Sequence, residues 1–516
     1  MALSDLHLER RRVPAPLPIW HADVDREGWL AVAREHARPG GRLVSMWGVD
    51  RHDQEGALAA CAALASPDGL LCVTLPLAGP AQGFPDLSEL FAGATRMQRA
   101  MADLSGLHAD AARDQRPWLD HGLWRGSLPP LAARARPEGA DAGTLPRDYP
   151  FVRVEGDGVH EIPVGPVHAG IIEPGHFRFS VVGEKVLRLE ERLGYTHKGI
   201  ERRFTELTPL QAHRLAGRVS GDSTVAYAWA YCMALESACD VPAPERAQWL
   251  RALLLERERV ANHLGDLGAL GNDAALAFGL AQFSRLREDW QRLSKDSFGH
   301  RLMMDAIVPG GVAHDLVPTR RDAMLRQCDE VERDVHRLRQ IYDEHAGLQD
   351  RFMTTGRVTP ELAARLGLTG MAGRASGQAG DLRCDLGWQP YGRLGATQAT
   401  QQGGDVAARV ALRFDELFES LRLIRELCGS LPDGDLASEV RVPPRAAQGT
   451  GWVEGWRGEV LVALHLGDDG RIVRCHCHDP SWQNWPVLEH AVIGNIVPDF
   501  PLINKSFNLS YSGHDL

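Results

Sequence analysis

The sequence predicts an α+β protein in which a small α/β unit precedes a large, mainly helical unit with short β hairpins. Arg42–Gly48 and Leu70–Leu75 are apolar runs typical of strands. Further along, long stretches place apolar residues at helical spacing, which predicts a helix bundle. Between them, residues 126–160 are rich in Pro, Gly, Ala and charge, which predicts a linker. We therefore expect an N-terminal domain over 1–125 and a second domain over 161–516.

The elements of each unit follow from local patterns. Glu89–Leu104 has the apolar spacing of a helix. Phe177–Glu190 alternates around a glycine-containing turn, which predicts a hairpin. A second hairpin is predicted where Val460–Leu466 and Arg471–His478 flank a Gly-Asp-Asp-Gly turn. The helices of the bundle are predicted over Thr224–Glu236, Arg246–Leu267, Phe283–Phe298, Asp322–Tyr342 and Asp405–Leu427.

The composition excludes several classes of function. The 516 residues carry 57 Lys plus Arg against 68 Asp plus Glu, a formal charge of −11, whereas nucleic-acid binding needs a basic face. No apolar run reaches the roughly 18 residues of a spanning helix, and the first residues lack the apolar core of a signal peptide. The nine cysteines are scattered and odd in number, which favours a reducing compartment over a disulfide framework. We therefore expect the chain on the cytoplasmic side.

Two candidate sites come directly before predicted elements. Glu173 precedes the first hairpin in a Glu-Pro-Gly-His run, where its carboxylate could relay protons or lie exposed on a turn. Ser220 and Ser223 precede the helix at Thr224, a spacing typical of helix capping. With cysteines the same spacing would be Cys-x-x-Cys, a ligand pair for a soft metal ion. The residues alone leave these alternatives open.

Three further patterns lie toward the end of the chain. Arg457, next to a glycine, could point into a cavity or lie on a surface turn. Cys475-His-Cys-His478 offers four potential zinc ligands, but on a strand the thiols face one side and the imidazoles the other. That alternation favours buried thiols over a metal site. Residues 506–516 have the composition of a polar tail.

Together the motifs resemble one family over nearly the whole chain. Residues 84–106 are similar to the signature of the C subunit of bacterial complex I, and Gly194–Glu201, Arg251–Leu264 and Pro309–Val312 are similar to motifs of its D subunit. The chain thereby resembles the large subunit of energy-converting, membrane-associated NiFe hydrogenases of the formate hydrogenlyase type, which is related to respiratory complex I. The resemblance implies a C-subunit-like N-terminal domain and a D-subunit-like, NiFe-hydrogenase-like body.

The sequence departs from this family where the metals would be bound. NiFe hydrogenases hold nickel and iron with two Cys-x-x-Cys pairs, and the matching positions here are Ser220 with Ser223 and Ser510 with Gly513. A serine hydroxyl stays protonated near neutral pH and is a hard ligand, poorly matched to nickel–thiolate chemistry. We therefore expect this chain to hold neither a NiFe centre nor any other metal.

The resemblance still implies a polar cavity at this place. Glu173 matches the hydrogenase glutamate that relays protons, and Arg457 matches the arginine over the metals. The residues implied to act at the reacting centre are Glu173, Arg218, Ser220, Asp222, Ser223, Arg457, Asp479 and Ser481. Those implied to line the cavity further out or to face a partner's cluster are His168, His197, Lys198, Glu201 and Asn484.

The implied function is that of a subunit of a complex I-like oxidoreductase complex on the cytoplasmic face of the inner membrane. Electrons would arrive from a [4Fe–4S] cluster in a small iron–sulfur protein that resembles the B subunit of complex I, since no cluster ligands are visible here. A ferredoxin-like subunit and antiporter-like membrane subunits would complete a redox-driven ion pump. Quinone stays a candidate acceptor, although Gly221 stands where the D subunit of complex I has its quinone-anchoring tyrosine.

Two alternatives remain. The chain could be a non-catalytic scaffold that couples the iron–sulfur arm to the membrane arm, with Ser220 and Ser223 as plain helix caps. It could also be an active hydrogenase with altered ligands.

Overall fold

The computed structural model describes residues 8–50, 58–79, 82–124, 129–132, 148–168 and 172–516. Within them it confirms the predicted α+β fold, with a sheet-rich N-terminal part followed by a helical part with small sheets. Much of the predicted linker, at 126–128 and 133–147, lies outside the described residues.

The bounds of the elements are as follows. The strands are β1 Arg11–Arg12, β2 Ile19–Asp23, β3 Arg42–Asp50, β4 Leu58–Ser66, β5 Gly69–Leu77, β6 Phe84–Pro85, β7 Ala109–Asp110, β8 Val159–Val164, β9 His176–Val182, β10 Lys185–Arg192, β11 Ile307–Val308, β12 Gly311–Val312, β13 Ala447–Glu454, β14 Glu459–Leu466 and β15 Ile472–His478. The helices are α1 Arg26–His36, α2 Ala94–Ser105, α3 Ile200–Phe204, α4 His213–Ala216, α5 Thr224–Cys239, α6 Glu245–Asp273, α7 Ala277–Phe298, α8 Pro318–Glu344, α9 Ala346–Phe352, α10 Pro360–Leu366, α11 Gly370–Arg374, α12 Leu382–Asp385, α13 Tyr391–Leu394, α14 Val406–Gly429, α15 Ser481–Ala491, α16 Phe500–Phe507 and α17 Tyr511–Asp515.

The N-terminal part is built on a five-stranded sheet in the order β1-β2-β5-β4-β3. β2 and β5 run parallel, and the other neighbours run antiparallel. The two predicted strands are confirmed as parts of β3 and β5, while β4 between them was not predicted. The predicted helix at Glu89 is found as α2 but begins only at Ala94, because the amides of Leu90 and Phe91 donate to Leu87 in a separate turn.

The helical part forms the predicted bundle. α6 packs against α7 and α14, and α14 packs against α8. All five predicted long helices are present, and each extends beyond its predicted bounds at one end or both. The residues added at the start of α7 and α8 are largely exposed, so the apolar spacing used for the prediction did not include them. Among the described residues, no helix combines the length and apolarity that crossing a bilayer requires.

Helix α5 is the centre of the second part. It is apolar on all sides, and every residue from Thr224 to Ala238 is buried. It lies on the sheet β13-β14-β15, where β14 and β15 confirm the second predicted hairpin and β13 is an addition. Gly449 and Gly451 of β13 face the helix so closely that a side-chain carbon on either would collide with the backbone carbonyl of Ala234 or Ala230. Glycine is therefore required here by a close backbone approach.

The predicted polar tail is wrong. Residues 506–516 form the end of α16 and all of α17, and most of their side chains are buried. Their polar groups bond to the body of the protein instead of to water. For example, the amide and hydroxyl of Thr196 both donate to the Asp515 carboxylate, at 3.0 and 2.7 Å. Composition alone misjudged this segment, because a polar residue with a buried partner looks the same in sequence as an exposed one.

We expect Gly451→Ala to lower the thermal midpoint and to reduce the free energy of unfolding by about 2–3 kcal/mol, because an added methyl group must push β13 away from α5. Unfolding followed by circular dichroism measures it. Gly429→Ala is the matched control, since a side-chain carbon at Gly429 would meet no atom within 4 Å. An equal midpoint for the two variants would contradict the close approach.

Candidate functional site

Two distant segments meet at the N-terminal end of α5. The Ser220 hydroxyl lies 3.2 Å from the Ser510 hydroxyl, although 290 positions separate them in the chain. Ser220 precedes α5, and Ser510 caps α17 by accepting from the Gly513 amide at 2.8 Å. The structure therefore brings together the segments that the family resemblance paired.

An ion pair joins this junction to the sheet. Arg457, in the turn between β13 and β14, donates to the Asp222 carboxylate at 2.6 Å and to the Asn508 carbonyl at 2.5 Å. Ser220 donates to the other oxygen of Asp222 at 2.5 Å. Arg457 is only 3% exposed, whereas the Asp222 side chain keeps 32% of its surface. The Asp222 carboxylate thus lies at an opening in the protein surface, and the Arg457 guanidinium lies deeper in the protein.

The charges at this pair hold each other in the ionised form. Burial opposes the charge on Asp222, but the Arg457 guanidinium and the bonds from Arg457 and Ser220 outweigh it and hold the pKa of Asp222 below its usual value. In the same way, burial would lower the pKa of Arg457, and the charges of Asp222 and Asp479 raise it. Asp222 is therefore a base of low proton affinity as long as Arg457 remains in place.

A second carboxylate lies behind the serines. Asp479 is fully buried and accepts from the Tyr227 hydroxyl at 3.1 Å and from the Ser481 amide at 2.9 Å. The Ser481 hydroxyl in turn accepts from the Ser510 amide at 2.9 Å. Burial and the neighbouring Asp479 charge raise the pKa of Tyr227 well above its usual value, so its hydroxyl stays protonated and donates. We call the hydrogen-bonded group Ser220, Asp222, Arg457, Asp479, Ser481 and Ser510 the serine–aspartate cluster.

The cluster does not fit a NiFe centre. Its donor atoms are hydroxyl and carboxylate oxygens that are already bonded to one another or to Arg457, and soft nickel–thiolate chemistry needs sulfur. At Gly513, the fourth ligand position, a side-chain carbon would lie 2.5 Å from an Asp479 oxygen and 2.9 Å from the Ser510 hydroxyl. A fourth ligand side chain therefore has no room there.

The helix-cap interpretation of Ser220 and Ser223 is wrong. Ser223 occupies the N-cap position of α5, but its side chain makes no capping bond. Glu258 of α6 does this instead, accepting from the amides of Val225 at 2.6 Å and Ala226 at 3.2 Å. Burial raises the pKa of Glu258 to about 8. The serine hydroxyls thus face Asp222, and sequence spacing could not reveal a cap supplied by another helix.

Glu173 lies on the far side of the C-terminal segment. It accepts from the amide and the hydroxyl of Ser512, at 3.1 and 2.9 Å, just before β9 begins. The Lys198 ammonium is within electrostatic reach of Glu173 and donates to the Val219 carbonyl at 3.3 Å. Burial lowers the pKa of Lys198. Glu173 and Lys198 thus border the cluster.

Arg218 points away from the cluster. It makes a two-point ion pair with Asp305, at 2.7 and 2.9 Å, and its side chain is 43% exposed. The bond to Asp305 raises the pKa of Arg218. The resemblance implied both Arg218 and Arg457 at the reacting centre, but among the described residues Asp222 has its ion pair with Arg457 alone.

The remaining predicted residues are dispersed. His168 contacts the Gly175 carbonyl at 2.8 Å, and His197 contacts the Asp515 carbonyl at 2.7 Å. Glu201 is buried between Arg474 and His476, and these two partners lower its pKa to about 2 despite burial. Asn484 is buried on α15 and accepts from the Thr369 amide at 3.1 Å. These contacts are structural bonds inside the protein.

The Cys475–His478 run lies on β15 with all four side chains buried. His476 bridges the Ser45 hydroxyl and the Glu201 carboxylate, at 2.7 Å each, and thereby ties β3 to the body. Across the described ranges, no group of three or more His, Cys, Asp or Glu side chains has an arrangement that could hold a metal ion.

Sequence reasoning missed three residues that hold the site. Asn262 and the Trp456 indole both donate to the Asp222 carbonyl, at 2.7 and 2.8 Å, and fix the loop before α5. Tyr227 supplies the hydroxyl on Asp479. A tyrosine in the first turn of a largely apolar helix was a signal that could have found it, because a buried hydroxyl needs a partner.

Two family models match the chain. The model for the 30 Kd subunit of respiratory-chain NADH dehydrogenase matches residues 22–139, and the model for its 49 Kd subunit matches residues 273–449. The chain is therefore similar to both complex I subunits, in the order that the sequence motifs indicated.

Curated relatives give the same result. Formate hydrogenlyase subunit 5 of Escherichia coli is 31% identical, over 93% of this chain and 85% of its own. The carbon monoxide-induced hydrogenase of Rhodospirillum rubrum is 31% identical, over 68% of this chain and 97% of its own. The C/D subunit of the NADH-quinone oxidoreductase of Bacteroides fragilis is 26% identical, over 76% and 77%. The predicted resemblance to these families is confirmed.

A solved structure shares the fold. A chain of the membrane-bound sulfane sulfur reductase, an archaeal respiratory membrane complex, superposes with a TM-score of 0.65 at 24% identity. The match covers 70% of this chain and 99% of that chain. At this identity the likeness supports the fold alone.

We expect Glu258→Gln to change how stability depends on pH. Because the pKa of Glu258 rises from about 4.5 unfolded to about 8 folded, the native chain binds this proton more tightly, and the free energy of unfolding falls as pH rises between those values. The glutamine variant loses this pH dependence, so the difference in the free energy of unfolding between variant and wild type shifts in favour of the variant toward pH 8. Urea unfolding at pH 5, 6, 7 and 8 measures it, with the exposed Glu439→Gln as control. Parallel profiles for Glu258→Gln and the wild type would contradict a raised pKa.

Proposed function

This chain belongs to the family that joins complex I 30 kDa- and 49 kDa-type subunits to the large subunits of energy-converting hydrogenases, and from this premise we propose that it is an electron-transfer subunit of a membrane-associated, complex I-like complex without hydrogenase activity. In this role it passes electrons from a partner's iron–sulfur cluster to an acceptor and couples the transfer to proton or ion translocation.

The observation that carries the proposal is the serine–aspartate cluster. At the place where relatives named as hydrogenases would bind metals, this chain has oxygen atoms that satisfy one another, and Asp479 occupies the room of the fourth ligand. Polar atoms that are fully bonded to each other do not need a metal to neutralise them. The family scaffold is thus kept, while oxygen groups that can hold and move protons replace the thiolates that nickel requires.

The partners follow from the same family. In our proposal, the opening at Asp222 faces a small iron–sulfur protein of the complex I B type. That partner holds the [4Fe–4S] cluster, and a ferredoxin-like protein delivers electrons to this cluster. Antiporter-like membrane proteins of the complex carry out translocation. The chain then lies as a peripheral subunit on the cytoplasmic face of the inner membrane.

Protons in this proposal are carried by the carboxylates. Asp222 exchanges protons through the Ser220 and Ser510 hydroxyls, and Glu173 exchanges them through the Ser512 hydroxyl. Asp479 exchanges them through the Tyr227 hydroxyl, which receives one proton as it gives up another and so stays protonated. Arg457 keeps Asp222 ionised between turnovers, so Asp222 first takes up a proton from solvent at its exposed side and then donates it to the reduced acceptor. His168, His197 and Asn484 shape the protein around this region through their backbone contacts.

Quinone is one candidate for the acceptor. Gly221, at the position of the complex I tyrosine, is exposed, and a side-chain carbon there would meet no atom within 4 Å. The space beside Asp222 is therefore open to a small molecule. The rival interpretation is a non-catalytic scaffold. The internal bonding of the cluster is consistent with this interpretation too, and the Asp222→Asn experiment below separates the two.

We expect the purified complex to contain iron from the partner clusters but less than about 0.1 nickel per chain, and to neither take up nor evolve hydrogen, because the oxygen donors do not suit nickel. Elemental analysis by mass spectrometry and a hydrogen electrode measure this. A NiFe hydrogenase treated in parallel is the positive control. One nickel per chain would establish a hydrogenase with altered ligands instead.

We expect Asp222→Asn to slow reoxidation of the reduced partner cluster by a water-soluble quinone at least about tenfold, as loss of a proton-transfer group does. The pH profile of the remaining rate should flatten in the acidic range. Cluster absorbance after rapid mixing follows the reaction in the intact complex. Glu191→Gln is the matched control, because Glu191 is also buried and paired with an arginine (Arg96, 3.0 Å) but lies outside the cluster. Unchanged rates and pumping in Asp222→Asn would favour the scaffold.

A further inference from the structure

A network of buried charged side chains adjoins the turn that carries Arg457. Its members come from α6, α11, α12, α14 and β13 and from the residue that caps α12, and none is more than 2% exposed. We call this set the buried ion network: Glu256, Arg259, His263, Arg374, Asp381, Arg383, Glu416 and Glu454. Arg259 donates to the backbone carbonyls of Glu454 and Gly455 at 2.7 and 2.9 Å, which fixes the network to this turn. Since Arg457 follows Glu454 by three residues, their Cα atoms lie within about 11 Å of each other.

The charges of the buried ion network do not balance. It contains three guanidinium groups and four carboxylates, and within the described ranges none of these carboxylates forms an ion pair with a Lys or Arg outside the network. With every carboxylate ionised and His263 neutral, the network would carry one negative charge. An uncompensated charge is so costly in a protein interior that a group takes up a proton instead. The network therefore has the capacity to bind one proton.

His263 does not hold this proton. Its Nε2 atom lies 3.0 Å from the Glu416 carboxylate, but its buried Nδ1 atom has no hydrogen-bond partner among the described residues. A protonated imidazole donates from both nitrogens, so it would leave one buried N–H without an acceptor. Burial accordingly lowers the pKa of His263. The proton thus belongs to a carboxylate.

Of the four carboxylates, Glu454 is the least well compensated. Arg374 approaches Glu416 with two nitrogens, both at 2.8 Å, but approaches Glu454 with one, at 2.9 Å. Despite burial, their charged partners hold the pKa values of the other three carboxylates below the usual range, at Glu256, Asp381 and Glu416. Those three stay ionised, so Glu454 is the group that takes the proton.

Glu454 also faces a carboxylate outside the network. Glu459 lies directly opposite it on strand β14, and like charges in this cross-strand arrangement repel. Burial and the charges of Asp381 and Glu459 raise the pKa of Glu454 to about 7, and the bond from Arg374 does not offset them. Glu459 in turn pairs with Arg42 at 2.7 Å, and the Arg42 side chain is 37% exposed. Glu459 thus connects Glu454 with the protein surface.

We propose that the buried ion network is a proton-binding site, in which Glu454 takes up one proton when negative charge arrives beside Arg457 and releases it when that charge leaves. The proton comes from solvent through Glu459, and the bond that forms is the O–H bond of a neutral Glu454 carboxylic acid. The inference rests on the proposed function, in which an electron on the partner's cluster supplies the negative charge. Binding of the proton and of the electron then favour each other.

Infrared spectroscopy of the purified full chain detects the proton, because a protonated carboxylic acid has a C=O band that a carboxylate lacks. We expect a wild-type band that disappears as the pH rises through about 7 and that is missing in Glu454→Gln. Glutamine keeps an acceptor for Arg374 and removes the excess charge, so this variant should fold. In Glu459→Gln the repelling charge is gone, and the band should disappear at a lower pH.

Glu236→Gln is the matched control for these spectra. Glu236 is also buried, but it has a guanidinium of its own in Arg251, with two bonds at 2.6 and 3.0 Å. This variant should keep the wild-type band and its pH dependence.

The coupling to electrons is measured in the intact complex. A photochemical donor reduces the partner's cluster at pH 8, and a pH-indicating dye reports the protons taken up per electron. We expect Glu454→Gln to take up at most about half as many protons per electron as the wild type, and Glu236→Gln to equal the wild type. No acceptor takes part, so the result is independent of quinone reduction, and the nickel and Asp222→Asn experiments decide the proposed function separately.

Three results would overturn the inference: a wild-type chain without the titrating band, a band that persists in Glu454→Gln, and equal proton uptake by Glu454→Gln and the wild type. If Glu454→Gln does not fold, Glu459→Gln decides, and an unshifted band in that variant contradicts the inference.

Discussion

The ion pair between Asp222 and Arg457 fixes the geometry of the site. A guanidinium that is almost fully buried is tolerated only with an anion and hydrogen-bond acceptors around it. Arg457 finds these on two distant segments, the Asp222 carboxylate before α5 and the Asn508 carbonyl after α16. Since Arg457 itself lies between β13 and β14, one side chain holds three parts of the fold together. The other residues of the site are arranged around this pair. Ser220 donates to Asp222, and Tyr227 donates to Asp479.

Helix α5 is capped by Glu258 and not by the serines that precede it, which explains why the serines belong to the site. Glu258 reaches across from α6 and satisfies the free amides of the helix, so neither Ser220 nor Ser223 has to do it. Their hydroxyls face Asp222 instead. A relative with thiols at the same two positions could keep this backbone, because the cap does not depend on them. The same scaffold can therefore hold soft ligands in one protein and a proton-exchanging network in another.

The sequence predicted the fold class, the order of the two parts and most long elements, because helical spacing and alternation report on burial directly. It could not predict β13, whose Gly449 and Gly451 carry no strand signal and are explained only by the helix they face. At the site, the family resemblance placed Ser220, Asp222 and Arg457 together, and the structure shows their contact. It could not show that Arg218 turns out to Asp305 or that Glu201 is held by Arg474, since those pairings depend on side-chain direction. The prediction of a polar tail was wrong because the partners of this segment lie 290 or more positions away in the chain, and the local sequence does not indicate them.

The contact between Ser220 and Ser510 has a consequence for biogenesis. Segments that emerge early from the ribosome fold before later ones are available, and contacts between distant positions form slowly because of the entropy of closing the loop between them. The body can therefore become compact while the place of residues 508–516 is still vacant, with Arg457 and Asp479 accessible from outside. Insertion of residues 508–516 completes the polar network, so the site forms only when this segment has docked.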